Sequence, residues 1–557
     1  MSKATEAIRE ARDLLLAHRG EAAVAAADFR WPDISGPFNW AIDWFDAIGR
    51  GRDTLALWIR ETDGTDSTYT YGELVDRSDA AAEWLRGVGV GIGDVVMLML
   101  GNQVELWVAQ LAVMKIGAVI LPTTEALPPA DIADRIARAN VRAVIANPRD
   151  ADKFASVAGD FIRITTGHEP AGWRSFTEAR EVAPVPQAIA TDASDPVLAY
   201  FTSGTTKDPK LVFHTQLSYP VGHLTTMYFI GVRPGDVHLN ISSPGWGKHA
   251  WSSFFSPWLA EATVFVYNYR RFDAADLIAQ LENAHIACFC APPTVWRMML
   301  LANLGSRPAG LREIVGAGEP LNPEVIKRVQ DAWGLTIRDG YGQTETTCIV
   351  GNAPGEIVKP GSMGRRMPGT DLVVIDPDTK RPDAHGEVCL PVDPWPFNLM
   401  SGYADAAQVR QAIHGGYYHT GDLVSQDEDG YLTYVGRTDD VFKASDYKVS
   451  PFELESVLLE HPAVAEAAVV PAADPVRLAV PKAYVHLAPG WEPSRDTALT
   501  ILRYAKENLA PYLRVRRLEF AELPKTISGK IRRVALRFQE GRDEFRYEDF
   551  TELATRR

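Results

Sequence analysis

The chain has 557 residues, 46% of them hydrophobic and 23% charged, with 57 Lys and Arg against 72 Asp and Glu for a net charge of −15. That length is enough for about three or four domain-sized units around ordinary hydrophobic cores, and the acidic balance argues against nucleic acid as a partner, because its phosphates are met by Lys and Arg. Four cysteines in so long a chain exclude a disulfide framework and fit a reducing compartment.

The first twenty residues are charged throughout and contain no apolar core of a secretory signal. The most apolar stretch, 106–121, is broken by Gln110 and Lys115 and is short for a bilayer span. It reads as a buried helix running into a strand, so no membrane span and a cytoplasmic location are expected. Residues 1–50 read as a helical and wrapping segment whose aromatic cluster (Trp31, Phe38, Trp40, Trp44, Phe45) is expected to be packing. From 71 the pattern alternates: helix 71–88, strands 94–100 and 117–121, helix 129–139, strand 141–146. This is the βαβ rhythm of a layered α/β domain. A Pro- and Ala-rich stretch, 182–195, closes it.

After the short apolar run 196–201 come Thr202, Ser203, Gly204, Thr205 and Thr206, then Lys207, Asp208, Pro209 and Lys210. Unhindered backbone N–H groups, hydroxyl donors and two ammonium groups suit a phosphate-binding loop in chemical terms, with a plain polar loop after a strand as the alternative on this stretch alone. Further on, Cys288 and Cys290 alternate along a strand with no second pair to complete a metal site.

The strand 311–315 leads into the turn Gly316-Ala317-Gly318-Glu319-Pro320. Asn322 then caps a helix with Pro323 in its first position, and Gly334 ends it. A second strand, 335–338, runs into Asp339-Gly340-Tyr341-Gly342-Gln343-Thr344-Glu345. Two strands joined by a helix are parallel, so both turns lie at one carboxyl edge, where open α/β sheets bind ligands. A purine nucleotide suits them: Tyr341 offers a stacking face, and Gly318 and Gly340 let the backbone approach a flat base. Glu345 is a carboxylate of the kind Mg²⁺ takes beside phosphate oxygens. His419-Thr420-Gly421-Asp422 places a carboxylate after a glycine turn, suited to two ribose hydroxyls.

A change of character follows strand 431–435. Ser450-Pro451-Phe452-Glu453 spells a capping box, and helix 451–460, strands 463–470 and 478–487, helix 496–509 and strand 515–520 make a compact α+β unit. The boundary is placed at 436–440, giving domains 1–436 and 437–557. Near the end, Pro524-Lys525-Thr526-Ile527-Ser528-Gly529-Lys530 sets a lysine on a glycine turn.

Taken in order, TSGTT…PK, GAGEP, DGYGQTE, YHTGDL, GRTDD and PKTISGK run over the whole chain. With them the chain resembles the adenylate-forming superfamily of acyl-CoA synthetases, peptide-synthetase adenylation domains and firefly luciferase. APPTVWRMML, DGYGQTET and HPAVAEAAVVPAADPVR look most like medium-chain acyl-CoA synthetases. The resemblance implies a large multi-layer α/β N-terminal domain and a small mobile α+β C-terminal domain that swings about Asp439. It implies an ATP-dependent ligase that makes acyl-AMP from a carboxylic acid, expected to be a medium-chain fatty acid, and then a CoA thioester, releasing AMP and pyrophosphate. ATP, Mg²⁺ and CoA are the implied ligands. Aryl or benzoate-type acids, and a separate carrier protein as acceptor, are the alternatives. A homo-oligomer is left open.

By the same resemblance Lys530 bridges carboxylate and phosphate, Thr344 contacts the α-phosphate, and Glu345 holds Mg²⁺. Asp422 takes the ribose diol with Arg437 supporting it. Ser445, Asp446, Tyr447, Arg477 and Lys506 fall where relatives hold CoA, and Arg514 is placed with them by position and charge. The basic stretch Arg514, Arg516, Arg517 stands out against an acidic chain and suits a ligand with several phosphates. The acyl pocket is expected from the segment 243–249 and from the turn Gly316–Gly318, with Trp246 and Trp251 as candidate lining and plain core as the alternative for one of them. Glycine at 342, where acetate-specific relatives carry tryptophan, is expected to leave it open. His249 is a candidate gate for the carboxylate. Two positions depart from the family: Lys207 and Asp446 stand where glycine is usual. The first adds a charge to the phosphate loop, and the second puts a carboxylate beside the thiol's route.

Overall fold

The computed structural model describes residues 2–202, 209–444, 447–474, 478–525, 531–537 and 544–554, and of Tyr447, Lys448, Leu478, Tyr512 and Ala554 only the backbone. It is α/β, with a large N-terminal domain and a small C-terminal one. Two sheets build the large domain, one of fourteen strands and one of eight among the described residues.

The smaller of these sheets has a parallel centre, Val119–Pro122, Val95–Met99, Val141–Ala146 and Ile162–Thr165. Pro196–Phe201 pairs parallel to it and then antiparallel to Leu211–Thr215, so the segment 202–210 connects two paired strands toward one side of the sheet. The helix Tyr71–Gly87 starts where Thr70 and Glu73 form a reciprocal capping box. Helix Pro129–Ala139 has proline in its first turn and ends on Asn140 in the left-handed region. Every residue of Val104–Lys115 named in that helix is buried apart from Glu105, so it is a core helix. Its Lys115 is neutralised there by Asp46 at 2.8 Å and Asp79 at 2.7 Å, the pairing a buried ammonium requires. No helix among the described residues is long and apolar enough to cross a membrane. Phe38, Trp40, Trp44 and Phe45 are fully buried, and Trp31 stacks on Phe397.

The larger sheet holds the parallel run Leu55–Glu61, Thr263–Asn268, Val237–Asn240, Cys288–Ala291, Glu313–Ala317 and Arg338–Tyr341. Antiparallel strands Ser362–Arg366, Leu432–Arg437, Tyr417–Gln426 and His385–Pro391 extend it on one side. The helix Pro323–Trp333 connects its two critical strands as the sequence requires, with the Asn322 side chain accepting from Glu324 N at 2.8 Å and Gly334 at φ 66°. Both strands lie later in the chain than the apolar pattern suggested. The second starts at Arg338 rather than 335 and runs through Gly340 and Tyr341, because the ladder to Gly316 and Ala317 continues past the apolar residues.

The C-terminal part folds on a sheet of Val464–Asp474, Leu478–Leu487, Arg517–Phe520 and Glu544–Arg546, covered by helices Pro451–Leu459 and Arg495–Asn508. Ser450 caps the first helix, accepting from Glu453 N at 3.2 Å, and its own hydroxyl donates to Val435 O. Arg533 clamps this helix from below: its guanidinium bonds Glu455 at 2.6 and 2.9 Å and reaches Asp440 at 3.4 Å, while Arg537 bonds Asp440 at 2.8 Å.

Candidate active site

Strands Glu313–Ala317 and Arg338–Tyr341 run side by side with Gly316 opposite Asp339, so the GAGEP and DGYGQTE turns share one edge. Gly318 sits at φ 99°, a backbone shape that favours glycine. Asp339 is buried beside them and accepts from Gly340 N at 3.0 Å; burial pushes its carboxyl up to about 8. Lys248, from the segment 243–249, reaches across and donates to Ala317 O at 2.8 Å, and burial lowers its ammonium pKa. Glu319 accepts from Thr294 at 3.1 Å and faces Arg297 at 3.5 Å.

Asp422 is the centre of the site. It arrives on the long strand Tyr417–Gln426, which pairs with Leu432–Arg437 so that Asp422 lies opposite Arg437. Its Oδ2 accepts from Tyr341 Oη and Gln343 Nε2, both at 2.6 Å, and Oδ1 accepts from Arg437 Nη1 at 3.1 Å. Gln343 is held from its other end by Tyr418, whose hydroxyl donates to Oε1 at 2.7 Å. Tyr341 is thus oriented by its hydroxyl. The Asp422 carboxylate, in turn, raises the Arg437 pKa against the lowering effect of burial.

Next along the turn, Thr344 O accepts from His214 Nε2 at 2.8 Å. Burial lowers the His214 pKa to about 4, so this is a neutral ring acting as a fixed donor. Glu345 is held by Tyr403, whose hydroxyl donates to Oε1 at 2.8 Å; burial raises the Glu345 pKa and this hydrogen bond opposes the rise. The Lys210 ammonium lies 4.8 Å over the Tyr403 ring, and Thr202 N bonds Lys210 O at 2.8 Å to close the mouth of the phosphate-binding loop. One edge therefore gathers Thr202, Lys210, Thr344, Glu345, Tyr341, Gln343, Asp422 and Arg437. Tyr403 and His214 escaped the sequence reading, and Tyr418 and Lys248 were given no role of their own within YHTGDL and 243–249, because each acts through a partner distant in the chain.

Other expected residues fall elsewhere. Ser203, Gly204, Thr205, Thr206, Lys207, Ser445, Asp446, Arg477 and Lys530 lie outside the described residues, and of Tyr447 only the backbone is described. His249 turns toward helix Val104–Lys115, with Nε2 3.3 Å from Asn102 Oδ1 and its ring beside Trp107. Burial lowers its pKa to about 3, so it is neutral there. Trp246 precedes the short helix Gly247–Ala250 and is half-buried. Lys506 donates to Leu553 O at 2.9 Å. Of the basic stretch, Arg516 meets Glu548 at 3.1 Å and Arg517 meets Glu544 at 3.7 Å, while Arg514 Nε is buried without a partner.

The expectation that Gly342 leaves the acyl pocket open is corrected. A Cβ added at Gly342 would stand 2.4 Å from Trp251 Cη2 and 2.1 Å from Thr347 O. Gly316 has more room, its nearest neighbour being Leu321 at 3.5 Å. Trp251 opens a π-helical turn, Trp251–Phe255, that widens the helix after Gly247–Ala250 and drives the indole onto Gly342. The space a side chain at 342 would fill is taken by a residue from another segment.

The family model for the AMP-binding enzyme matches residues 45–404, and that for the AMP-binding enzyme C-terminal domain matches 453–530. The 4-hydroxybutyrate–CoA ligase 1 of Metallosphaera sedula is 44% identical over 90% of this chain and 91% of its own. The mitochondrial acyl-coenzyme A synthetase ACSM3 of Mus musculus is 36% identical over 91% of both. Among solved structures, the anthranilate CoA ligase AuaEII in complex with anthranoyl-AMP superposes with a TM-score of 0.81 at 26% identity, over 92% of this chain and 98% of that one. The chain belongs to the AMP-binding enzyme family, as one of its acyl-CoA synthetases.

Proposed function

We propose that the edge around Asp422 binds ATP and that the chain activates a short- to medium-chain aliphatic acid there before passing the acyl group to CoA. The observation that carries this reading is the Asp422 carboxylate, held by Tyr341, Gln343 and Arg437 in a geometry that fits a ribose diol. Thr202, the loop 203–206 and Lys210 would take the phosphates, and Gly318, Glu319, Pro320, Asp339, Gly340, Tyr341 and Gly342 the base and its surroundings. The acid's oxygen attacks the α-phosphorus, the bond to the β-phosphate oxygen breaks, and pyrophosphate leaves with the electron pair. Lys530 would stabilise the charge that builds on the α-phosphate, with Thr344 contacting the same group. Glu345, a half-buried carboxylate anchored on one oxygen by Tyr403, suits a divalent cation such as Mg²⁺, which when bound neutralises phosphate oxygens. In the second step the CoA sulfur displaces AMP from the acyl carbon and the thiol proton is released.

The domain boundary at 436/437, with movement about Asp439, completes the reading. Arg537 bonds Asp439 O at 2.9 Å and Asp440 at 2.8 Å, so a swing there has defined contacts to exchange. Ser445–Tyr447, Arg477, Lys506 and Arg514 are proposed for the CoA side. For Lys506 this requires release of Leu553 O. Four buried free thiols support a reducing, cytoplasmic setting. The name of the Metallosphaera sedula relative supports an aliphatic acid, and Trp251 against Gly342 leaves an aryl ring poorly served.

The test is acid-dependent pyrophosphate release with MgATP, followed with and without CoA for AMP and thioester. Lys530→Ala should abolish adenylation while sparing thioester formation from supplied acyl-adenylate. Equal loss of both half-reactions would remove the domain swing, and release with no acid at all would remove the reading itself.

A further inference from the structure

Beside the nucleotide corner lies a buried cluster that none of the roles above uses. Tyr219, His223 and Trp251 are 0%, 0% and 7% exposed. The Tyr219 and His223 rings meet edge to face at 4.4 Å, and His223 and Trp251 do so at 5.7 Å. The cluster borders the expected acyl pocket on two sides. Trp251 rests on Gly342, and the Tyr219 hydroxyl reaches Gly247 O at 3.5 Å, the long limit of a hydrogen bond.

Its polar atoms are not satisfied from within. His223 Nδ1 lies 2.9 Å from Thr226 Oγ1, and that oxygen already accepts from Cys348 N at 3.2 Å. A hydroxyl oxygen accepts twice and donates once, so the proton of this neutral ring can sit on either nitrogen. Among the described residues Nε2 has no partner, and neither has Trp251 Nε1. Burial pushes the Tyr219 phenol pKa well up; the indole N–H nearby opposes that rise without closing a hydrogen bond. His214, in the same group of rings, has both nitrogens engaged, by Ser218 and by Thr344 O, and so is not part of this deficit. A buried donor left unpaired costs about 1–3 kcal/mol, and native proteins keep such groups for a reason. One indole N–H, one imidazole nitrogen and one hydroxyl in one cluster make a receptor for an oxygen that both accepts and donates.

We propose that His223, Trp251 and Tyr219 form a distal-oxygen subsite of the acyl pocket, so that the acid activated carries an uncharged hydroxyl or carbonyl oxygen a few carbons from its carboxylate. This rests on the acid–CoA ligase reading above. A plain alkyl end would leave the indole N–H and the imidazole nitrogen unpaired. A second carboxylate would be buried without a counter-charge, since the His223 ring is neutral and Glu345 is near enough to raise the Tyr219 pKa. An alcohol matches, accepting from an N–H and donating to Tyr219.

The test compares 4-hydroxybutanoate with pentanoate, which puts a methyl in place of the hydroxyl at equal length, and adds succinate. The readout is kcat/KM for pyrophosphate release with MgATP. Wild type should favour the hydroxy acid over both by at least about 100-fold, since a site built for a hydroxyl rejects the analogue lacking it. His223→Leu and Trp251→Phe should each collapse the ratio to pentanoate by at least about tenfold. His223→Gln, which returns an N–H, should restore part of it. Melting curves of all three variants exclude misfolding, and Trp251→Phe keeps an aromatic ring should His223→Leu fail to fold. Pentanoate turned over as well as the hydroxy acid by wild type would overturn the subsite and leave the ligase intact. Pyrophosphate release with none of the acids would overturn both.

Discussion

Around Asp422 the donors already have their acceptor: Tyr341, Gln343 and Arg437 all end on one carboxylate, and Tyr418 holds Gln343 from behind. Around Trp251 the rings are packed as tightly, yet the Trp251 indole N–H and His223 Nε2 have no partner among the described residues. The Trp251 corner is the more deeply buried of the two, since Tyr341, Gln343 and Arg437 are only half-buried. A satisfied corner is preorganised, able to take a ligand by adding bonds to groups already fixed. An unsatisfied one waits for a ligand atom to complete it. That contrast fits a reaction in which one substrate is common to a family and the other is particular to each member.

The largest effect should come from the satisfied corner. Asp422→Ala leaves a guanidinium, a phenol and an amide facing one void, and removing one partner of such a buried pair costs about 3–5 kcal/mol. We expect kcat/KM for ATP to fall on the order of 10²–10³-fold, with the loss mostly in the ATP KM, and the denaturant midpoint to drop. An unchanged ATP KM beside a lowered midpoint would make Asp422 a structural hub only.

Gly342→Ala probes the border between the corners. Its Cβ would press on Trp251 Cη2 and on Thr347 O, and overpacking of this kind costs about 1–3 kcal/mol. Acid turnover should fall by about tenfold, and Trp251→Phe in the same chain should return part of it, because the ring atom in contact is then gone. Purely additive effects in this double-mutant cycle would mean that Thr347 O, not the indole, sets the limit.

This border also marks where the sequence stopped being readable. The nucleotide corner was legible because local signals position it: Asn322 and Gly334 bracket one helix, two strands follow from it, and Gly421 turns Asp422 inward. Trp251 could not be placed that way. Its position depends on a π-helical widening, Trp251–Phe255, which changes the face a residue presents without changing the apolar pattern. Glycine at 342 then reads as open space although a distant indole fills it. The Lys115 pairing with Asp46 and Asp79 has the same character. The residues were visible, but the fold alone brings them together.

Asp339 gives a pH effect of moderate size. Burial holds its carboxyl at about 8 in the folded chain against 3.8 as the ordinary value. The stability carried by the protonated form is complete below the unfolded value and is lost as pH rises through about 8. The melting temperature should therefore fall between about pH 4 and pH 8 in wild type and fall less in Asp339→Asn, whose amide is neutral throughout. Parallel curves for the two proteins would show that Lys248 or another neighbour keeps Asp339 ionised.

Tyr403→Phe should have the smallest effect, and it tests whether the satisfied corner extends to the proposed cation ligand. The lost hydrogen bond to Glu345 Oε1 is to a charged group and is worth about 1.5–3 kcal/mol. Burial already raises the Glu345 pKa, and the Tyr403 hydroxyl opposes that rise. Without it the pKa moves further up, so a step that needs the carboxylate fails at higher pH than in wild type. The acid limb of the pyrophosphate-release profile should shift upward, and more Mg²⁺ should be needed for half-maximal rate, by about threefold to tenfold. At high pH and saturating Mg²⁺ most of the rate should return, because the carboxylate is then ionised with or without its donor. A loss that neither pH nor Mg²⁺ repairs would place Tyr403 in the shape of the site, through the Lys210 ammonium over its ring, rather than in the charge of Glu345.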